Sequence, residues 1–346
     1  MRKPTINKVL LAIVFLLISH EFFGQTPVVP FKTRYDNSIK GDMLLIGNNI
    51  LSQHKTNNYN TTGTANNDIG TMVNVDIDSD NTTVNSSSAD LIVPSNTGCY
   101  KIVYAGLYWS AVVKGTASID DVKFKVPNST TYQDIKGTRI YYQNATNGKT
   151  NSYACYADVT SLVSAQGTGT YTVANVSTLT GSKPNEEGLS AGWSLFVVYE
   201  DPKLPSKYIT SFDGFSIISS SNNLTIPVSG FKTIPSGPVR AKYAFSAIEG
   251  DRPYSGDFLQ INGSTIGATN NAGTAIRPSN NFFNSTVSYI NTTTNTPELF
   301  TTRNPSSSNT LGFDAGILNI PNPANAANPG GTVIKNGDTS ANIRRK

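Results

Sequence analysis

Histidine, cysteine and charged residues are all scarce in this chain of 346 residues. It has two histidines and two cysteines, and 14% of its residues are charged, against about a quarter in a typical soluble protein. His20 lies in the N-terminal apolar segment, which leaves His54 as the only other imidazole. A single histidine disfavours a histidine-activated nucleophile. One histidine with two cysteines and no H-E-x-x-H motif also disfavours a zinc site.

Long hydrophobic runs do not occur after residue 18. The chain starts with Met1-Arg2-Lys3 and has one apolar run, from Val9 to Ile18. A basic start followed by about ten apolar residues is typical of a secretory signal and is too short to span a bilayer. We therefore expect a signal peptide at 1–25, no membrane span after its removal, and a secreted or outer-surface location.

Basic residues are not concentrated on any one segment. The formal net charge is +4, part of which comes from the N-terminal segment and from Arg344, Arg345 and Lys346. Nucleic-acid binding needs a stripe or patch of Lys and Arg on one face of an element. We therefore expect no nucleic-acid partner.

What the chain does contain is short segments of alternating apolar and polar residues, separated by turns rich in Asn, Ser, Gly and Pro. This pattern predicts strands, and regular short strands are typical of antiparallel β-sandwiches. The predicted strands are 41–51, 71–77, 89–94, 99–113, 121–126, 138–145, 152–159, 169–176, 192–201, 207–218, 239–250, 257–262 and 285–290. One short helix is predicted over "DVTSLVSA", capped by Asp158 or Thr160.

The predicted fold is all-β: an antiparallel, jelly-roll-like β-sandwich in two packed units. The chain beyond the signal is longer than one ordinary β-domain needs. We place the first unit at 26–205 and the second at 206–346, and we expect the second to lack its C-terminal strand. A missing strand would leave a sheet edge open for pairing with another chain.

The stretch "YAGLYWSA", Tyr104 to Ala111, has large side chains on both faces. Leu107 and Trp109 share one face of the predicted strand, and Tyr104 and Tyr108 share the other. Two covered faces indicate a central strand, and "GWSLFVVYED" from Gly192 repeats the pattern. We expect both tryptophans, Trp109 and Trp193, to be buried; the alternative is an exposed aromatic platform for a ligand.

The cysteines are Cys99 and Cys155. In an exported chain, an even number of cysteines predicts a disulfide. Closing a loop of about 55 residues would stabilise the fold by about 3–4 kcal/mol in the chain-entropy model. The alternative is two buried thiols.

Calcium is the predicted metal, at two clusters of acidic residues. Ca²⁺ takes six to eight oxygen ligands, and alternate carboxylates can converge when a segment curls into a loop. The first cluster is Asp76, Asp78 and Asp80, with further oxygens from Thr82, Asn85 and Asp90; the second is Glu249, Asp251 and Asp257. The EF-hand pattern fails, because its twelfth position is Ser87. The alternative at both clusters is a solvated turn.

Two other kinds of site are consistent with the residue types. A glycosidase needs two carboxyl groups that face each other in a cleft, one with a raised pKa. Its candidates are Glu186, Glu187, Glu200, Asp201, Glu249, Asp251 and Asp257. A carbohydrate-binding module needs coplanar exposed aromatics, for which the candidates are Tyr141, Tyr142, Tyr208 and Tyr254.

Several phrases resemble one family. They include "RYDNSIKGDMLLIGNNIL", "YKIVYAGLYWSA", "GWSLFVVYEDPKLPSKYITSFDGF" and "NTLGFDAGILNIPNP". They look like the amino-terminal region of very large exported surface proteins of Bacteroidetes, which are adhesin-like or associated with gliding motility. The resemblance implies an all-β region of a long adhesin, often followed by immunoglobulin-like repeats and a sorting domain for type IX secretion. The chain departs from that family in having no repeats and no sorting domain, which predicts a truncated product or a fragment.

From these observations we expect a non-enzymatic exported protein that serves adhesion or cell-surface scaffolding. Its partner would be an extracellular ligand, either a polysaccharide or a protein, contacted through polar loops. The alternatives are a calcium-dependent carbohydrate-binding module and a polysaccharide-acting enzyme that uses two carboxylates. No cofactor other than Ca²⁺ is expected.

Overall fold

The computed structural model describes residues 27–78, 80–94, 99–115, 118–142, 150–182, 188–218 and 223–346. Strands hold 51% of the described residues and helix 3%, so the predicted all-β class is confirmed. The predicted signal peptide at 1–25 lies outside the described residues. So do Glu186 and Glu187 of the proposed carboxylate set.

The strands are numbered in chain order. The first twelve are β1 (Val29–Asn49), β2 (Leu51–Ser52), β3 (Thr71–Asn74), β4 (Ser86–Leu91), β5 (Lys101–Lys114), β6 (Asp121–Lys125), β7 (Gln133–Lys136), β8 (Thr138–Tyr142), β9 (Thr150–Asp158), β10 (Gly169–Ala174), β11 (Gly181–Ser182) and β12 (Ala191–Glu200). The others are β13 (Ser206–Phe215), β14 (Leu224–Ser229), β15 (Lys242–Gly250), β16 (Leu259–Ile261), β17 (Ser264–Ile266), β18 (Ala268–Thr269), β19 (Ala275–Arg277), β20 (Val287–Asn291), β21 (Thr296–Leu299), β22 (Arg303–Asn304), β23 (Gly312–Asn319) and β24 (Ser340–Arg345).

The described residues form four sheets of four or more strands. Sheet A has the order β13-β1-β12-β5-β9-β8, sheet B β22-β4-β10-β6-β7, sheet C β15-β23-β20-β21 and sheet D β14-β24-β16-β17. Two smaller sheets, β11-β3-β2 and β18-β19, complete the set. Pairing is antiparallel throughout these sheets except for β20 with β23.

The tryptophans lie in the core between sheets A and B, as the two-faced pattern predicts. Trp109 and Trp193 are opposite each other on β5 and β12, and both are at most 1% exposed. The indole of Trp109 donates to the carbonyl of Ile119 at 2.9 Å. That of Trp193 donates to Ser87 Oγ at 2.9 Å. Since Ser87 lies on β4, this bond joins sheet A to sheet B.

The disulfide prediction is wrong, because Cys99 and Cys155 are not bonded to each other. The register of β5 and β9 places Cys155 opposite Trp109. Trp109 is ten residues after Cys99, a separation of about 30 Å in an extended chain at about 3.3 Å per residue. A disulfide needs Cα atoms within about 7 Å of each other. Cys155 is buried and its thiol donates to the Ile119 carbonyl at 3.4 Å, while Cys99 is exposed.

The ranges 26–205 and 206–346, predicted as two units, share sheets and a core. β13 follows residue 205 in the chain and pairs with β1 in sheet A, and β22 pairs with β4 in sheet B. Phe313 and Ile317 of β23 belong to the same hydrophobic cluster as Trp109. A second cluster lies between sheets C and D, and includes Phe245 and Leu259.

The last strand of the chain, β24, lies inside its sheet. It pairs with β14 on one side and with β16 on the other. β24 is therefore not an edge strand of its sheet, and the expectation that the second unit lacks its C-terminal strand stays a prediction. Residues 340–345 carry small and charged side chains with little alternation, which is why the sequence pattern did not predict this strand.

The predicted helix is present as α1 (Thr160–Gln166), and its residue Val163 is buried. Asp158 Oδ1 accepts the backbone N–H of Thr160 at 2.9 Å. The residue that caps the helix by position is Val159, without a side-chain bond. Asp158 therefore accepts the N–H of the first helical residue, but it lies one position before the capping residue Val159.

A buried ion pair stabilises the junction of β19 and β23. Arg277 Nη1 donates to Asp314 Oδ1 at 2.8 Å, and both side chains are 0% exposed. Arg277 also donates to the carbonyls of Thr286 and Ala315 at 2.7 and 3.0 Å. Burial lowers the pKa of Arg277 and raises that of Asp314, and the charge of each residue opposes the shift of the other.

Candidate functional site

A cleft of about 1660 Å³ lies between sheets A, C and D. Its lining includes every residue from 205 to 218 and every residue from 238 to 251. These ranges contain β13 and β15. In the described residues each of them is the edge strand of its sheet, β13 in sheet A and β15 in sheet C. Two walls of the cleft are therefore built from edge strands.

The face of sheet A that points away from the tryptophans forms most of the floor of the cleft, and Trp109 and Cys155 of the opposite face are also lining residues. Tyr108 and Ser110 of β5, with Ser194 and Phe196 of β12, line it. Gly106 lies next to them: a Cβ atom there would be 2.9–3.1 Å from side-chain atoms of three tyrosines, including Tyr108. Glycine thus lets the tyrosine rings pack directly on the strand.

Sheet A is strongly curled, so that side chains of distant strands meet above this floor. Tyr108 donates from its hydroxyl to Asp213 Oδ1 at 2.8 Å, although β1 and β12 lie between β5 and β13. In a flat sheet these strands would be about 14 Å apart. The edge strands also approach each other, because Tyr141 of β8 stacks on Phe215 of β13 at 4.2 Å.

Arg34 completes this network. Its Nε donates to Asp213 Oδ2 at 2.5 Å, and its guanidinium lies 4.3 Å from the ring centroid of Tyr156. Burial opposes the charge of Arg34, but the hydrogen bond and charge of Asp213 outweigh it and raise the pKa of the guanidinium. Burial raises the pKa of Tyr108, and the charge of Asp213 adds to that effect. The network is therefore a charged pair with a neutral phenol.

Three polar atoms on lining residues are buried without a hydrogen-bond partner in the described part of the chain. They are Ser211 Oγ, Ser216 Oγ and Arg345 Nε. An unpaired buried polar group costs about 1–3 kcal/mol, so a molecule in the cleft that bonds to these atoms would recover that free energy.

The rim of the cleft is apolar and exposed. Ile217, Ile234 and Tyr254 are lining residues and are 46%, 49% and 55% exposed. Exposed apolar patches indicate interaction sites, and these three side chains line the same cleft. These three are among the seven large hydrophobic residues that are exposed in the described ranges.

Charges mark the two ends of β15. Near its start, Lys242 and Lys207 each donate to Asp42 Oδ2 at 2.7 Å. Burial disfavours the charge of Asp42, but the two lysines outweigh it and lower the pKa of the carboxyl. Arg240 is exposed just before this end. Glu249 and Asp251 lie at the other end, so the wall formed by β15 is basic at its start and acidic at its end.

Glu249 is the most perturbed acid of the cleft. Burial raises its pKa to about 7, and the neighbouring charge of Asp251 adds to the shift. Asn67 Nδ2 lies 3.3 and 3.4 Å from the two carboxyl oxygens. The backbone of Glu249 has φ 69°, the left-handed region.

The first predicted calcium cluster does not converge on a metal. Ser86 Oγ donates to Asp76 Oδ1 and Asp78 Oδ1, both at 3.1 Å. Tyr132 donates to the other oxygen of Asp78. Asp80 Oδ1 instead accepts two bonds from Thr82 within its own turn. These carboxylates are bonded by donors of the chain itself.

The second cluster is dispersed in the same way. Asp257 Oδ1 accepts the N–H of Phe283 at 2.8 Å, while Glu249 contacts Asn67. Among the residues that the structure describes, no three His, Cys, Asp or Glu side chains are grouped so that they could hold a metal ion. The predicted calcium sites are therefore not formed by either set of acids.

The proposed aromatic platform is not formed either. Tyr141 is 8% exposed beneath Phe215, and Tyr142 donates to the carbonyl of Gly115. Tyr208 is half-buried. Tyr254 alone of the four is exposed. Four coplanar exposed rings, as the carbohydrate-binding hypothesis requires, are therefore not available.

Other sequence candidates lie apart from the cleft or lack the expected context. Asp201 is buried and its Oδ1 accepts the N–H of Lys203 at 2.9 Å. His54 is exposed in the loop after β2. The segment "GLSAG", residues 188–192, has the G-x-S-x-G spacing, but Ser190 leads into β12 rather than into a helix. A nucleophile elbow needs a strand followed by a helix.

Arg34, Ser211 and Asp213 were not among the site residues predicted from the sequence. The signal that could have indicated them is the segment "KYITSFDGF" in β13, where Asp213 follows Ile209 and Ser211 at alternate positions. A carboxylate on the inward face of a strand needs a partner there.

Comparison with protein-family models, with curated proteins and with solved structures found no match to this chain. Among the residues described, no helix is both long and apolar enough to cross a membrane.

Proposed function

We propose that this protein is an exported, non-enzymatic surface protein that uses the cleft to hold an extracellular ligand in adhesion or scaffolding. The observation that carries this proposal is the cleft itself, with an exposed apolar rim and buried polar atoms left without partners. Pockets with mostly apolar walls and a few directed polar groups are where proteins bind ligands. The N-terminal sequence supports export, and the resemblance to Bacteroidetes surface proteins supports a role at the cell surface, including one in gliding motility.

Cells that display the full chain provide the test of adhesion. They are compared with cells that display Ser211→Trp, which fills the cleft, and with a control, Ser161→Trp, on the exposed side of α1. Adhesion is measured on surfaces coated with chitin, with xylan or with gelatin. We expect adhesion to at least one surface, and its loss in Ser211→Trp but not in Ser161→Trp. Equal adhesion of all three kinds of cell would contradict the proposal.

Export is tested separately with residues 1–25 fused to a reporter enzyme. The reporter is expected outside the cytoplasm, and a control fusion with Leu11→Arg is expected to remain inside. Retention of both fusions would remove the export part of the proposal.

One observation favours a second function. A carboxyl group with a pKa of about 7 can act as a general acid at neutral pH, and Asp251 lies near Glu249. Hydrolysis of a polysaccharide is therefore the second candidate. It predicts release of reducing sugars from xylan or chitin by the wild-type protein and loss of that release in Glu249→Gln.

A further inference from the structure

The wall of the cleft formed by β15 has an unused edge. β15 spans Lys242–Gly250 and pairs with β23 along one side. In the described ranges it makes no other strand pairing and is the edge strand of sheet C. Its free N–H and C=O groups therefore point away from β23, and all its residues line the cleft.

A free strand edge inside a cleft differs from one on an open surface. Proteins usually protect exposed edges, because unpaired backbone groups there pair with other chains. Sheet D contributes Ile226 and Ile343 to the lining of the same cleft, so the free edge of β15 borders a cleft that a second sheet also lines.

The opposite wall supplies further hydrogen-bonding groups. Ser211 of β13 and Ser216 just after it carry buried hydroxyls without a partner. A polypeptide in the cleft would offer both N–H donors and C=O acceptors at the spacing of a strand. Nine residues of β15 correspond to about 30 Å of extended chain.

The charges favour one orientation of that segment. Arg240 precedes β15, while Asp251 follows its end. A ligand with an acidic residue near the first end and a basic residue near the second would be complementary to this wall. Complementary charges of this kind fix register and orientation.

We propose that the ligand of the cleft is an extended polypeptide segment of another protein, which adds to the free edge of β15 as a further strand. This inference rests on the proposed binding function and names its ligand class. Main-chain hydrogen bonds would supply affinity, and the charges and the apolar rim would supply selectivity.

The test uses the full chain and a ten-residue peptide of alternating valine and threonine, with glutamate at one end and lysine at the other. Hydrogen exchange is followed for the amides of 242–250 with and without peptide. We expect exchange of these amides to slow at least about tenfold at saturation, since they gain hydrogen bonds. A matched peptide methylated on alternate backbone nitrogens should bind at least about tenfold more weakly, because it cannot donate those bonds.

Three variants test the location and the orientation of the bound peptide. Ser211→Trp should abolish peptide binding, and Ser161→Trp should not. Arg240→Glu changes an exposed residue, so it is expected to fold; it should weaken binding of the peptide and strengthen binding of a peptide with the two charges exchanged. No slowing of exchange in 242–250, or equal binding of the methylated peptide, would overturn the inference.

The outcomes separate this inference from the proposed function. Adhesion that Ser211→Trp abolishes, together with xylan or chitin binding and no peptide protection of β15, would leave the cleft as a binding site and assign it to a polysaccharide. Adhesion indifferent to Ser211→Trp would reject the proposed function itself.

Discussion

Tyr108 and Asp213 are hydrogen-bonded at 2.8 Å across two intervening strands of the same sheet. The bond is possible because sheet A curls until β13 faces β5. The curl brings a carboxylate, a guanidinium and three tyrosines together on one face, and it forms the floor of the cleft. Asp213 accepts from both Tyr108 and Arg34, so it is the central residue of that arrangement.

Asp213→Ala is expected to destabilise the fold by about 1–3 kcal/mol, because it leaves Tyr108 and Arg34 without their acceptor. Asp213→Asn retains an oxygen for one of the two donors and should cost less. Urea denaturation followed by tryptophan fluorescence measures both, since Trp109 and Trp193 are buried in the same sheet. Equal free energies of unfolding for the alanine variant and the wild type would show that the network does not stabilise the curled sheet.

The sequence predicted the central strands of sheet A well. Trp109 and Trp193 lie on strands with large apolar residues on both faces, and this local pattern has one simple explanation, burial on both sides. The short helix over Thr160–Gln166 was predicted from equally local features.

The pattern failed where a strand depends on a distant partner. Residues 29–40 of β1 are mostly exposed, and four of the twelve are charged. They are extended because they pair with β13. β23 contains Gly312, Asp314 and Gly316, which look like turn residues. Asp314 is accommodated in the buried strand because Arg277 neutralises its charge. Gly316 is needed there because a Cβ atom on it would lie 2.5 Å from Ser288 Oγ.

The cleft could not be predicted for a related reason. Two of its walls are built from the edge strands β13 and β15, and a strand edge is made of backbone groups that every residue has. Side-chain periodicity reports which face is buried, but it does not report which edge lacks a neighbour.

Asp314→Ala is expected to destabilise the fold by about 3–5 kcal/mol, because it leaves the charge of Arg277 buried without a carboxylate. The matched control is Asp134→Ala, which removes the partner of Lys123 from a site where Asp134 is 86% exposed. An exposed pair contributes about 0–1 kcal/mol. Urea denaturation of both variants gives the comparison, and similar losses in the two would contradict the assigned role of burial.

The native protein should contain one reactive thiol and one protected thiol. Cys99 is exposed, whereas Cys155 is buried and burial raises the pKa of its thiol to about 12. A thiol reagent is expected to modify one cysteine in the folded protein and two after unfolding, and Cys99→Ser should remove the fast reaction. A reducing agent should leave the melting temperature unchanged. A lower melting temperature on reduction would instead support the disulfide expected from the sequence.

Glu249 should make stability depend on pH in an unusual direction. Its folded pKa is raised to about 7 from 4.5, so between these values the folded state binds more protons than the unfolded state. The free energy of unfolding therefore decreases as pH rises from about 4.5 to about 7, and the contribution of Glu249 is constant above that range. The loss amounts to roughly 3 kcal/mol over the window.

Glu249→Gln should remove this part of the pH dependence, while Glu298→Gln in β21 should retain it. The measurement is urea denaturation at pH 4.5, 6 and 8. If the difference between wild type and Glu249→Gln does not change with pH, Glu249 is not the buried acid that the structure describes.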